Sequence, residues 1–297
     1  MSSSPDAPAA RLEGKVCLVT GATSGIGQVM SRVLAERGAT LIAAGRDAGR
    51  TGALVDEIHA RVPAAAVIGL VHDLAEVDGV RALAKAASAA APGGIDVLLN
   101  NAGAVYARRQ ETAEGVERTF ALNVVAPFLL TLLLRDRLNA RAPSRVVMVA
   151  SEAHRMGRLD LTDLEFRHGY SGMRAYNASK LALMLLTREL ARRFAPDGIR
   201  VNAVHPGLVR THWGLNNRGW FGGGVRLAQA LFGISAEAGA RTPLAVACDA
   251  AFADVTGAYV VRGRIRPGAP ASNSPEMAAR LWTTLSERVG LGRSGAP

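Results

Sequence analysis

The sequence is poor in cysteine, lysine and aromatic residues, and none of its apolar stretches is long. Only Cys17 and Cys248 are present, each in an apolar segment where a thiol packs as a small hydrophobe. That excludes a disulfide framework or a thiolate metal centre and fits a reducing, cytoplasmic compartment. Lys15, Lys85 and Lys180 are the only lysines, so the formal net charge of +10 is carried mainly by arginines scattered along the chain. With no basic run and only 5% aromatic residues to interleave with it, the excess does not describe a nucleic-acid interface. The stretch 124–134 is apolar but contains Pro127 and stops at Arg135, well short of the roughly 20 residues a membrane span needs. Residues 1–10 are Ser/Pro/Ala-rich, without the basic and apolar regions of a signal peptide, and 1–13 reads as a loose leader.

What is abundant is core material: 49% of residues are hydrophobic and 20% charged. Short β-branched runs at 16–19, 41–44, 66–71, 97–99, 146–150, 201–204 and 259–261 alternate with longer helical patterns. The runs are continuously apolar, as expected of parallel strands covered on both faces. The pattern predicts an α/β fold: a doubly wound Rossmann sheet of about seven parallel strands forming one domain over 14–262. Residues 263–297 read as a Pro/Gly/Ser linker and a C-terminal helix over 275–289, with Met277, Leu281, Trp282, Leu285 and Val289 facing the body or a second subunit. Two segments interrupt the rhythm after strand ends, 152–173 and 208–233, where substrates enter. In the second, Trp213, Trp220 and Phe221 form either a substrate lid hinged on Gly222–Gly224 or a subunit contact.

Gly21, Thr23, Ser24, Gly25, Ile26 and Gly27 follow the first strand and open the first helix. Backbone amides and the helix dipole there face an anion, and the glycines permit a tight turn and close approach, so a pyrophosphate is the natural ligand. At the end of the second strand, where a free ribose hydroxyl is usually met by a carboxylate, stand Gly45 and Arg46. An arginine grips a 2'-phosphate with two hydrogen bonds, so NADP(H) is preferred over NAD(H); the alternative is a solvated Arg46 paired with Asp47.

Tyr176 and Lys180 stand four apart in a helical pattern and share a face. A phenol is a poor acid/base at neutral pH, and a neighbouring ammonium favours its ionised form. Together with Asp73-Leu74, Asn100-Asn101-Ala102-Gly103, Asn123, Ser151 and Pro206-Gly207 in this order, the chain resembles the short-chain dehydrogenase/reductase family from about Gly14 to Val261. Ala153-His154, the stretch His205–Thr211 and Ala279–Trp282 are similar to the retinol dehydrogenase branch, which prefers NADP; with 1–13 read as a loose leader, the N-terminal membrane anchor of that branch's animal members is not expected here.

The resemblance implies an oxidoreductase interconverting an apolar, medium-to-large ketone or aldehyde and its alcohol. It implies Tyr176 as acid/base, Ser151 as hydrogen-bond donor to the carbonyl oxygen, Lys180 as depressant of the tyrosine pKa and holder of the nicotinamide ribose, and Asn123 as anchor of a relay water. It places Asp73 and Leu74 at the adenine, Asn100, Ala102 and Gly103 at the adenosine ribose, and Pro206, Gly207 and Thr211 beside the nicotinamide. His154 and His205 read as packing. The family implies a homodimer or homotetramer. Two other readings stay open: a dinucleotide-sensing regulator without turnover, and a ketoreductase of secondary metabolism with the same chemistry.

Overall fold

The computed structural model describes residues 11–209 and 233–291. The strands are β1 (Val16–Thr20), β2 (Thr40–Gly45), β3 (Val67–Val71), β4 (Val97–Asn100), β5 (Ser144–Val149), β6 (Ile199–His205), β7 (Tyr259–Val261) and β8 (Arg264–Arg266). The helices are α1 (Gly25–Glu36), α2 (Ala48–Arg61), α3 (Val77–Ala90), α4 (Arg118–Phe120), α5 (Ala126–Leu133), α6 (Arg135–Asn139), α7 (Gly172–Phe194), α8 (Ala236–Cys248) and α9 (Pro275–Arg288). The sheet order is β3-β2-β1-β4-β5-β6-β7-β8. Every neighbouring pair is parallel except β7 with β8. The order reverses between β1 and β4, which opens a crevice at their carboxyl ends.

Alternation along the strands builds two cores. Leu18, Ile42, Leu98 and Val146 face Leu83 of α3, Phe128 of α5 and Met184 of α7. Cys17, Leu41, Leu99 and Val147 face Met30 of α1, Leu54 of α2 and Leu244 of α8. Cys17 and Cys248 are both free thiols. Among the described residues no helix is long and apolar enough to cross a membrane, and no cluster of side chains suits a metal ion.

The sheet has eight strands where the sequence predicts about seven, and the eighth is antiparallel and lies in the stretch read as linker. Arg262 and Gly263, at φ 50 and 70, form the two-residue turn of a β7–β8 hairpin in which Val261 pairs with Arg264. Arg-Ile-Arg shows no buried-strand signal because all three residues are exposed. The terminal helix docks on the body: Trp282 is buried, meets the Phe128 ring edge-on at 5.1 Å and lies under the Arg193 guanidinium at 4.1 Å. Trp282→Ala should therefore cost about 3–5 kcal/mol in equilibrium urea unfolding; a loss under about 1 kcal/mol would mean that the helix is not anchored there.

Candidate active site

The glycine turn is shaped by contacts that leave no room for a side chain. Gly21 and Gly25 have φ of 63 and 53, the left-handed region that glycine adopts freely. A Cβ on Gly27 would lie 2.1 Å from the Gly21 carbonyl oxygen and 2.6 Å from Asn101 Nδ2. Asn101 Nδ2 donates to the Thr20 and Gly21 carbonyls at 2.9 and 3.2 Å. Thr20 Oγ1 in turn receives the amides of Asn101 and Ala102, each at 3.0 Å. Thr20 and Asn101 thus staple the glycine turn to the end of β4, a role that no motif in the sequence assigns to them; the doubled asparagine is its visible sign.

The turn delivers the chain into α1, whose N-cap Ser24 makes no side-chain cap bond and whose first turn holds no acid. By contrast α2, α8 and α9 are capped by Asp47, Ser235 and Ser274. The first amides of α1, next to Thr23 and Ile26, are therefore left as donors at the positive end of the helix dipole, which suits a pyrophosphate. At the end of β2, a Cβ on Gly45 would meet Thr51 Oγ1 at 2.6 Å and Thr23 Cγ2 at 2.7 Å, so a carboxylate side chain has no space there. Arg46 is exposed and without a hydrogen bond or ion pair among the described residues. Asp47 is occupied instead by the Arg50 amide at 2.8 Å.

On the facing side, Leu74 is buried. Asp73 pairs with Arg118 at 2.9 Å and accepts the Ala75 amide at 3.0 Å. Ala102 closes against Gly21, and Gly103 faces Asn123 and Lys180. The Asn100 side chain goes elsewhere: it is buried and donates to Thr131 Oγ1 at 3.1 Å inside the core.

The catalytic candidates converge at the carboxyl ends of β4 and β5. α7 sets Tyr176 and Lys180 one turn apart, both buried. Ser151 follows β5, accepts the Ala153 amide at 3.2 Å and shares a side-chain hydrogen bond with Tyr176. Lys180 Nζ donates to the Val149 carbonyl at 2.8 Å and lies 5.6 Å from the centre of the Tyr176 ring. Burial pushes the phenol up to about 12, against the opposing hydrogen bond from Ser151, and pulls the ammonium down to about 8. In the protein without cofactor, burial thus outweighs the expected effect of the lysine, and the phenol keeps its proton.

Asn123 sits where the helix widens into a π turn over Ala121–Val125, between α4 and α5. Its Oδ1 accepts the Ala104 amide at 2.9 Å, and its Nδ2 donates to the Ala104 carbonyl and to Ser179 Oγ, each at 3.0 Å. The side chain fixes the loop after β4 to α7 beside Lys180.

Both histidines are held by hydrogen bonds to the backbone. His154 is fully buried. Its Nε2 accepts the Ala269 amide at 3.0 Å, so the proton is on Nδ1, which donates to the Ser151 carbonyl at 2.6 Å. His205 Nδ1 accepts the Glu152 amide at 3.3 Å, and burial lowers the pKa of both rings. Glu152 and His205 border a cavity of about 850 Å³, whose other walls include Pro206, Gly207, Leu208, Ile234 and Val261. Thr211, Trp213, Trp220 and Phe221 lie outside the described residues.

If the Gly27 contact shapes the turn, Gly27→Ala should lower stability by about 1–3 kcal/mol in urea unfolding. Gly52→Ala is the control: its added Cβ meets nothing within 4 Å, and it should be neutral or stabilising by up to about 1 kcal/mol. Equal effects at the two positions would remove the steric argument.

Comparison with known proteins agrees with this geometry. The short chain dehydrogenase model matches residues 15–220. Retinol dehydrogenase 13 of Homo sapiens is 36% identical over 95% of this chain and 86% of its own length. A crystal structure from Mycobacterium Paratuberculosis superposes with TM-score 0.76 at 33% identity, covering 96% of each chain. A short chain dehydrogenase from Burkholderia cenocepacia J2315, solved in complex with NADP, superposes with TM-score 0.66 at 28% identity over 89% of this chain and 100% of its own. A parallel sheet with an uncapped glycine turn at its switch point, a buried Tyr-Lys pair beside Ser151, and matches of this extent have one common explanation: the chain belongs to the short-chain dehydrogenase/reductase family of oxidoreductases, on its retinol dehydrogenase-like branch.

Proposed function

We propose that the protein interconverts a ketone or aldehyde and the corresponding alcohol, with NADP(H) as preferred redox partner and Tyr176 as acid/base. The observation that carries this reading is the buried Tyr176 hydroxyl, hydrogen-bonded to Ser151 one residue from a cavity that Glu152 borders. When bound, the cofactor supplies the hydride for reduction or accepts it in oxidation. In reduction the carbonyl oxygen sits between Ser151 and Tyr176, and the proton on Tyr176 Oη moves to that oxygen as the carbon gains the hydride. Lys180 carries positive charge at neutral pH, its pKa being about 8, and stabilises the phenolate left behind.

The uncapped amides of α1 would hold the pyrophosphate. Arg46, free among the described residues beside a Gly45 that excludes an acid, would take the 2'-phosphate. The apolar walls contributed by Pro206, Leu208, Ile234 and Val261 favour a substrate with an apolar body. The two free thiols favour a reducing compartment, the cytoplasm.

The test is NADPH oxidation against apolar ketones, aldehydes and quinones, with retinaldehyde included because of the relatives' names. Tyr176→Phe should cut turnover by roughly 100- to 10,000-fold while leaving NADPH binding measurable by fluorescence. Equal activity in the variant would remove the tyrosine from the reaction. Arg46→Ala should weaken NADPH about 10- to 100-fold and NADH far less; equal losses would end the 2'-phosphate assignment. Because reduction needs the phenol protonated, its rate should hold level through neutrality and fall on the alkaline side, whereas oxidation should rise with pH. Profiles of the opposite slope would exclude Tyr176 as the titrating group.

A further inference from the structure

Three arginines, Arg262, Arg264 and Arg266, border the cavity whose wall also includes Glu152, the residue that follows Ser151. Their placement follows from the hairpin. Arg264 and Arg266 pair with Val261 and Tyr259, so by strand alternation all four share one face. That face is turned to the site, because the Tyr259 hydroxyl donates to Glu152 Oε1 at 2.8 Å.

No hydrogen bond or ion pair engages any of the three guanidinium groups among the described residues. The one carboxylate on the cavity, Glu152, is already taken by Tyr259 and by Arg155 at 2.5 Å. Nor does the neighbouring sequence supply a counter-charge: 205–234 contains no Asp or Glu, and none occurs between Asp254 and Glu276. Arg262, moreover, is held at φ 50, a conformation that asparagine or glycine adopts with less strain at this turn position. Three exposed arginines at one rim of the cavity, one of them at a strained turn position, concentrate positive charge with no partner among the described residues, an arrangement that a bound anion would complete.

We propose that the substrate is amphipathic: its carbonyl or alcohol carbon lies at Ser151 and Tyr176, its apolar body fills the cavity, and an oxyanion terminus, a carboxylate or a phosphate, is bound by Arg262, Arg264 and Arg266. This rests on the reaction proposed above for the position of the reactive carbon, but the anion site is testable without turnover.

Isothermal titration of the full chain, saturated with NADP, with decanoate, decyl phosphate and decanamide measures the site directly. Wild type should bind at least one of the two anions about 10-fold more tightly than the amide. The preference should shrink at high salt and collapse to about one in Arg264→Gln/Arg266→Gln, a double change on exposed side chains. Arg264→Lys/Arg266→Lys keeps the charge without the fork and should recover part of it. In parallel, the ratio of kcat/KM for 10-oxodecanoate to that for its methyl ester should exceed about 10 in wild type and approach one in the glutamine variant, mainly through KM. If anions and amide bind alike, or the preference survives the glutamine variant, the anion site is wrong. If the anion preference appears but neither oxo compound is reduced in any cofactor condition, the anion site stands and the proposed reaction falls; reduction of both without preference keeps the reaction and removes the anion site. Preference for only one anion identifies the terminus.

Discussion

A parallel sheet covered on both faces sends its crossovers to opposite sides, and where they part the chain just beyond the last ladder bond must find other partners for its backbone groups. Between β1 and β4 that task falls to Thr20 and Asn101. The threonine hydroxyl gathers two amides from the turn after β4, and the asparagine amide fastens two carbonyls of the turn after β1. Their position determines where α1 begins, and so where its uncapped amides point. Gly27 is pressed against the same staple. The geometry of the glycine turn thus follows from satisfying backbone polar groups just beyond the end of the β1–β4 ladder.

The catalytic side obeys a related constraint. Tyr176 and Lys180 are buried, and a buried phenol and a buried amine both resist ionisation. The fold therefore stores an acid in its protonated form, about 12, near a cation weakened to about 8. Asn123 contributes by tying the loop after β4 to the Ser179 turn of α7, which fixes that loop against the helix that holds Tyr176 and Lys180. The π turn at Ala121–Val125 is where a regular helix gives way to make those bonds.

Much of the architecture is local in character and so is readable from residues alone. The apolar runs at 16–19, 41–44 and 97–99 lie within the observed strands, and the Tyr176–Lys180 spacing places both on one helix. What escaped depends on partners remote in sequence. Asn100 and Asn101 are chemically identical neighbours, and only the strand's alternation sends the first to Thr131 in the core and leaves the second at the turn. The short strand Arg264–Arg266 shows no buried-strand pattern because it lies at the sheet edge with all three residues exposed. The tyrosine's environment likewise could not be judged from a lysine four residues away, because burial by the surrounding layers sets the larger effect.

His154 links two parts of the molecule that are distant in sequence. One ring nitrogen holds the carbonyl of Ser151 and the other receives the amide of Ala269, and α9 follows shortly after, packed on Phe128 and Arg193. The C-terminal stretch is therefore fixed from behind to Ser151, whose side chain is hydrogen-bonded to Tyr176. The same stretch is tied on at further points, Arg155 donating to the Pro267 carbonyl at 2.7 Å and Arg188 to that of Ser272 at 2.9 Å, so a change of sequence in the tail reaches Ser151 and the Tyr176 helix by several routes although no described residue from Ser274 onward borders the cavity.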